Sequence, residues 1–230
     1  MIVPTYNERD SLPGLLSRLE DVARQLPLEV LIVDDASPDG TGALGEDLAR
    51  ASPVPVVVIH RSGKSGLASA AIDGAAAARG GIVTVMDADL SHPPESLPAL
   101  AAAVERGADV AVASRYVRGG GIESWPAARR MLSLAATALT RAVLGLRVRD
   151  PLSGFFAARG ELLRDRPYRG LGYKLLVEVL AYHPRAVVVE IPYRFVDRAH
   201  GSSKLSLGEI RAFFSLLAGL WADRRRAPRG

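Results

Sequence analysis

The residues best placed to do chemistry are Asp87-Ala88-Asp89, at the end of the apolar run Ile82–Met86. Carboxylates at i and i+2 on a strand end point to one side, where they repel unless a cation lies between them. In a chain without cysteine, hard oxygen ligands favour Mg²⁺ or Mn²⁺, ions that keep waters and grip substrate phosphates. The competing reading is an acidic turn. Asp34-Asp35 close the run Val30–Val33 in the same way. They read as caps of the next helix, with Ser37, Asp39 and Thr41 as rivals, or as acceptors for a base or ribose. Pro4-Thr5-Tyr6-Asn7-Glu8 follows a first apolar run. Tyr6 is placed to stack on a base, and Glu8 to accept a hydrogen bond from it or from a sugar. Asn7, the only Asn of the chain, reads alone as a turn residue.

Several other signals are decoys. Gly63-Lys64-Ser65 has the end of a P-loop, but the glycine required five positions earlier is Val58. Gly40, Gly42 and Gly45 match a dinucleotide-binding spacing, yet Asp34, Asp35 and Asp39 crowd that turn. The next strand also ends in His60-Arg61 rather than in an acid. There is no HExxH and no Gly-x-Ser-x-Gly elbow.

These residues need strands to carry them. Val30–Asp34, Val56–His60, Ile82–Met86, Asp109–Ser114 and Val187–Pro192 read as strands. Leu12–Leu26, Gly42–Ala51, Ser65–Arg79 and Pro98–Arg106 have helical period. Such alternation predicts an α/β fold with a mostly parallel sheet covered on both faces, and ligands beyond the carboxyl ends of its strands. With only Ile2 and Val3 before Pro4, the first strand reads as clipped. Ala127–Leu146 is a long apolar helix after Gly119-Gly120-Gly121. Leu205–Ala222 carries Ile210, Phe213, Phe214, Leu217, Leu220 and Trp221 at helical spacing, either facing the core or lying in a membrane surface.

Composition narrows the classes. At 230 residues, 48% hydrophobic and 23% charged, the chain is an ordinary globular protein. The absence of cysteine excludes disulfides, thiolate metal sites and cysteine catalysis. The formal charge is +4, of which +3 lies in the last ten residues. The body shows no basic face interleaved with aromatics, so no nucleic-acid partner is expected. Ala212–Ala222, the longest uncharged helical run, falls short of the roughly 20 residues of a membrane span. Arg9 and Asp10 interrupt any signal peptide, leaving the cytoplasm as the expected compartment. One domain is expected over residues 1–221, with 222–230 a basic, disordered tail.

Eight motifs occur in an order that resembles glycosyltransferase family 2, and within it the dolichol-phosphate (polyprenyl-phosphate) mannosyltransferases. They are Pro4–Glu8, Val33–Thr41, Gly63–Leu67, Asp87–Glu95, Ser114–Tyr116, Asp150–Phe155, Gly172–Lys174 and Arg198–Leu205. The resemblance implies a GT-A fold, a Rossmann-like α/β/α sandwich. It implies that Pro4, Tyr6, Glu8, Val33 and Asp35 line the nucleotide pocket, that Asp87 and Ala88 contact the nucleotide-sugar, and that Asp89 binds the divalent metal. Ser91 stands where some relatives have a second metal ligand, Gln. Arg115, Arg198 and Lys204 match residues that grip donor phosphates or the reacting groups. Arg130 and Ser133 match positions that hold the acceptor phosphate, and Asp150 lies near the acceptor.

The implied reaction is metal-dependent, inverting transfer of mannose from GDP-mannose to a polyprenyl phosphate. The alternatives are the same chemistry with UDP-glucose, or a non-catalytic nucleotide-sugar-binding partner of a membrane protein. Some relatives carry C-terminal membrane helices. A separate catalytic domain would meet the cytoplasmic face of the membrane peripherally, by a surface helix or through a membrane-anchoring protein.

Overall fold

The computed structural model describes residues 1–164, 168–170, 174–197 and 207–226. In chain order the elements are β1 (Ile2–Thr5), α1 (Leu12–Ala23), β2 (Val30–Asp34), α2 (Thr41–Ala51), β3 (Val56–His60), α3 (Leu67–Ala77) and β4 (Ile82–Val85). A 3₁₀ turn (Pro94–Ser96) leads into α4 (Leu97–Glu105), β5 (Val110–Ser114), β6 (Gly121–Ile122) and α5 (Ala127–Leu144). Then follow β7 (Phe156–Arg159), α6 (Gly160–Arg164), α7 (Leu175–Tyr182), β8 (Val188–Pro192), β9 (Arg194–Phe195) and α8 (Leu207–Arg226).

Among the described residues the main sheet runs β3-β2-β1-β4-β7-β5-β8, and β6 pairs with β9 beside it. All main-sheet pairings are parallel except those of β7, which is antiparallel to both β4 and β5. Side chains alternate across the sheet. Val3, Ile32, Ala111 and Ala157 pack with α1 and α4 on one face, while Ile2, Val33, Val112 and Phe156 pack with α3 and α7 on the other. A third cluster joins Leu144 of α5, Val177 and Ala181 of α7, and Leu216, Leu217 and Leu220 of α8. The result is the expected α/β/α sandwich.

Three features differ from expectation. The antiparallel strand β7 is unforeseen, because Phe-Ala-Ala-Arg is too short to show a period. Helix α7 is unforeseen because residues 175–181 are all buried, Glu178 included, and a helix buried all round has no apolar stripe. The tail boundary at 221 is corrected: α8 continues to Arg226. Its last turn is held by tertiary contacts. Asp223 pairs with Arg169 at 2.6 Å and accepts from Tyr182 at 2.9 Å, while Arg224 bonds Leu144 O at the end of α5. Arginines in a last turn also suit the helix dipole. Residues 227–230 lie outside the described residues. Of the two readings of 205–222, the core-facing one is met along part of α8. Leu216, Leu217 and Leu220 face the core, and Phe214 and Trp221 face outward.

Candidate active site

The crevice forms where the strand order reverses. From β1 the chain steps outward to β2 and β3, then returns to lay β4 on the other side of β1. Such switch points open at the carboxyl ends of the strands. Pro4 widens this one. Met86 N donates to Ile2 O across the seam, and alternate residues face the same neighbour, so residue 4 would next donate to β4. Proline has no N–H to give. The β1–β4 ladder is the single pair Ile2↔Val85, against four pairs between β1 and β2. Past the ends of these three strands, Asn7, Ala36 and Leu90 have φ of 59°, 58° and 62°. Left-handed non-glycine residues cost about 1–3 kcal/mol each and gather at functional sites.

On the nucleotide side the loops after β1 and β2 are tied together. Asn7 N donates to Ser37 Oγ and Glu8 N to Thr41 Oγ1, each at 3.0 Å. Asp34 is a turn brace, accepting from Thr5 Oγ1, Ser37 Oγ and Ser37 N. Asp35, expected to meet a base, is buried with both oxygens engaged. It accepts from Arg61 Nη1 at 2.6 Å, from Ser65 N, and from Gly66 N at 2.7 Å. It therefore holds the Arg61–Gly66 loop. That loop places Lys64 Nζ 3.6 Å from the centroid of the Tyr6 ring, covering a face on which a base would stack. Glu8 accepts from Ser11 Oγ at 2.8 Å at the start of α1.

On the other lip, β4 delivers the acidic triplet. Extending the Val85↔Phe156 register by two residues sets Gly154 opposite Asp87. A Cβ at Gly154 would stand 3.0 Å from Asp87 Oδ2, so glycine is what this approach requires. Asp89 is buried, and its Oδ1 accepts from Ser91 N at 3.0 Å and Ser91 Oγ at 2.5 Å. The Ser91 hydroxyl is thus directed at the carboxylate and braces it. Asp87 and Asp89 suit a hard divalent cation. Among the described residues no group of three or more His, Cys, Asp or Glu converges, so further ligands would come from phosphate oxygens and water, as Mg²⁺ ordinarily takes them.

The third wall follows β5. Arg115 is buried and bound bidentately to Asp150, Nε to Oδ2 at 2.8 Å and Nη2 to Oδ1 at 2.7 Å, with Arg115 N also donating to Oδ2. Burial alone would lower its pKa, but the hydrogen bonds and charge of Asp150 prevail and raise it. Glu190 of β8 accepts from the backbone N–H groups of Arg149 and Asp150. The fork expected to grip a phosphate is therefore committed to Asp150. Tyr116 Oη lies 2.8 Å from Ser133 Oγ on α5, which brings the expected acceptor-binding hydroxyl beside β5. Arg130, one turn earlier on α5, is exposed. Arg198, His200 and Lys204 lie outside the described residues.

The sequence profile of Glycosyl transferase family 2 matches residues 1–169. The chain belongs to glycosyltransferase family 2. The dolichol-phosphate mannosyltransferase of Pyrococcus furiosus is 44% identical over 207 residues, 89% of this chain and 58% of that protein. The polyprenol monophosphomannose synthase of Mycolicibacterium smegmatis is 41% identical over 100% of this chain and 88% of its own length. The undecaprenyl-phosphate mannosyltransferase of Micrococcus luteus is 42% identical over 91% of this chain and 88% of its own. This chain thus spans less than two thirds of the Pyrococcus relative, though most of the other two. Among solved structures, Mycobacterium tuberculosis glucosyl-3-phosphoglycerate synthase in complex with Mn²⁺, UDP and phosphoglyceric acid matches with a TM-score of 0.71 at 23% identity. The match covers 100% of this chain and 78% of that one. The likeness shows the GT-A fold.

Some residues that shape this family 2 glycosyltransferase site escaped the sequence reading. Arg61 was noted only as a non-acidic strand end, and Glu190 only as part of a strand. Gly154 had a signal, its place in the motif Asp150–Phe155, but no signal of what it faces. Tyr193 and Trp125 were not singled out. Among the described residues the buried Trp125 Nε1 has no hydrogen-bond partner, and burial raises the Tyr193 phenol pKa.

Proposed function

We propose that this glycosyltransferase moves mannose from GDP-mannose to a polyprenyl phosphate with inversion at the anomeric carbon, using Mg²⁺ or Mn²⁺. The observation that carries the reading is the switch-point crevice, with Asp87 and Asp89 on one lip and Ser133 against Tyr116 on the wall after β5. The relatives above, at 41–44% identity, are named for mannose joined to dolichol, polyprenol or undecaprenyl phosphate. A phosphomonoester has its second pKa near about 6, so the acceptor oxygen attacks already ionised and no general base is required. Attack opposite the departing nucleoside diphosphate turns an α-linked donor into a β-linked product. A divalent cation held at Asp89 supplies neutralisation of the leaving diphosphate when bound. Arg130 and Ser133 hold the acceptor phosphate, with Arg198 and Lys204 on the reacting groups. Arg115, its charge balanced by Asp150, orders the wall after β5.

A polyprenyl acceptor brings the protein to a bilayer. Helix α5 exposes Met131 (69%), Leu132 (52%), Leu134 and Leu139, and α8 exposes Phe214 (53%) and Trp221. Helix α5 also carries Arg129, Arg130 and Arg141 with no acidic residue, and α8 ends in three arginines. An apolar surface ringed by cations fits an anionic lipid surface. Among the described residues no helix is long and apolar enough to cross a membrane.

The test is product formation from GDP-mannose and from UDP-glucose on a polyprenyl phosphate in anionic vesicles, with Mg²⁺, Mn²⁺ or chelator. Mannosyl lipid formed only with metal is expected. Faster transfer from UDP-glucose overturns the donor, undiminished transfer in chelator overturns the metal, and transfer from neither donor overturns the reaction.

A further inference from the structure

The cation site has a support that its ligands do not explain. Asp89, Ser91 and His92 are all buried. Leu90, at φ 62°, folds the chain back so that both the N–H and the hydroxyl of Ser91 reach Asp89 Oδ1. A serine hydroxyl has one proton. With that proton on Asp89, Ser91 Oγ accepts from its other neighbour, His92 Nδ1, 3.2 Å away. The network thereby assigns the proton of the imidazole to Nδ1.

The ring itself is fixed. It stacks on Tyr193 at 5.6 Å and 25°, and meets Phe155 and Phe195 edge-on at 5.6 and 5.5 Å. Val196 N donates to Ser91 O, tying the turn to the end of β9. A box of this kind would accept phenylalanine as readily. What histidine adds toward Ser91 is the ring N–H. We infer that His92 is a positioning residue, which through the Ser91 hydroxyl holds the Asp89 carboxylate in the orientation that meets the cation. Outer-shell partners of this type set the geometry of the ligands they touch. The inference rests on the cation reading of the proposed function.

The test is Mn²⁺ affinity, read by electron paramagnetic resonance of free Mn²⁺ at saturating nucleoside diphosphate. Removal of an outer-shell partner costs about 10–100-fold in metal affinity, and that loss is expected for His92→Phe, which keeps the box filled. His92→Asn, whose amide N–H stands near the Nδ1 position, is expected to stay within about threefold of wild type on the same scale. Ser91→Ala with His92→Phe is expected to bind no more weakly than Ser91→Ala alone, since the effect passes through the hydroxyl. Wild-type affinity in His92→Phe overturns the inference. So does equal loss in the Phe and Asn variants, which would show that restoring the N–H does not restore affinity, and so does additive loss in the double variant. Should His92→Asn fail to fold, the double-variant comparison decides. A wild-type protein that does not bind Mn²⁺ overturns the cation reading instead.

Discussion

Asp150 has no exposed surface, and it holds a guanidinium that is nearly as buried. Removing one member of a buried pair leaves the other uncompensated, at about 3–5 kcal/mol. Asp150→Ala is therefore expected to lower unfolding stability by that amount in urea titration, and a loss below about 1 kcal/mol would contradict the role assigned to the pair. Gly154→Ala acts on chemistry instead. Its Cβ would press on Asp87 Oδ2 by a few tenths of an ångström, and since a misplacement of about 1 Å costs about 100-fold in turnover, a smaller, several-fold loss is expected. Donor KM and kcat should both suffer while the melting temperature changes little. At this scale residue type and spacing located the carboxylates, because repulsion at a strand end is written in one dimension. Their partners were not legible. That Asp35 serves Ser65 and Gly66 N–H groups, and that Asp87 faces Gly154, depend on loops and a register that bring distant segments together.

At the scale of elements, α3 lies so close to the sheet that an added Cβ at Gly74 would stand 2.6 Å from Ile2 Cγ2 and 3.1 Å from Val33 Cγ2. Overpacking of this kind costs about 1–3 kcal/mol, more than the up to about 1 kcal/mol that alanine returns in helix propensity. Gly74→Ala is expected to be destabilising in thermal melts, and a raised melting temperature would show that α3 can retreat from β1. The bounds Val30–Asp34 and Val56–His60 were legible to the residue, since each is an unbroken β-branched and aliphatic run closed by a polar residue, whether buried as in β2 or half-exposed at the sheet edge as in β3. Strand β7 was not legible, because its pairing with β4 and β5 is a property of the assembled sheet. Helix α7 was hidden by the same burial that makes it stable.

For the molecule as a whole, the apolar surface lies on α5 and α8, while the buried faces of α8 and α7 close the third cluster behind it. Substituting exposed side chains perturbs stability within about 0.5 kcal/mol, so the surface can be altered without unfolding the protein. Leu132→Ser with Phe214→Ser is expected to reduce flotation with anionic vesicles while the melting temperature holds. Retained flotation in the folded double variant would assign this surface to another partner. Phe213 is not equivalent, because it packs against the core.

Strand β7 enters against the grain of the sheet, between β4 and β5. Its approach is what carries Asp150 to Arg115 and Gly154 to Asp87. The residues expected to line the nucleotide pocket precede Leu97, and those expected at the acceptor phosphate follow β5. If the proposed function holds, the seam between β4 and β7 is a natural cut line, across which a chimaera would trade lipid preference while leaving sugar preference alone.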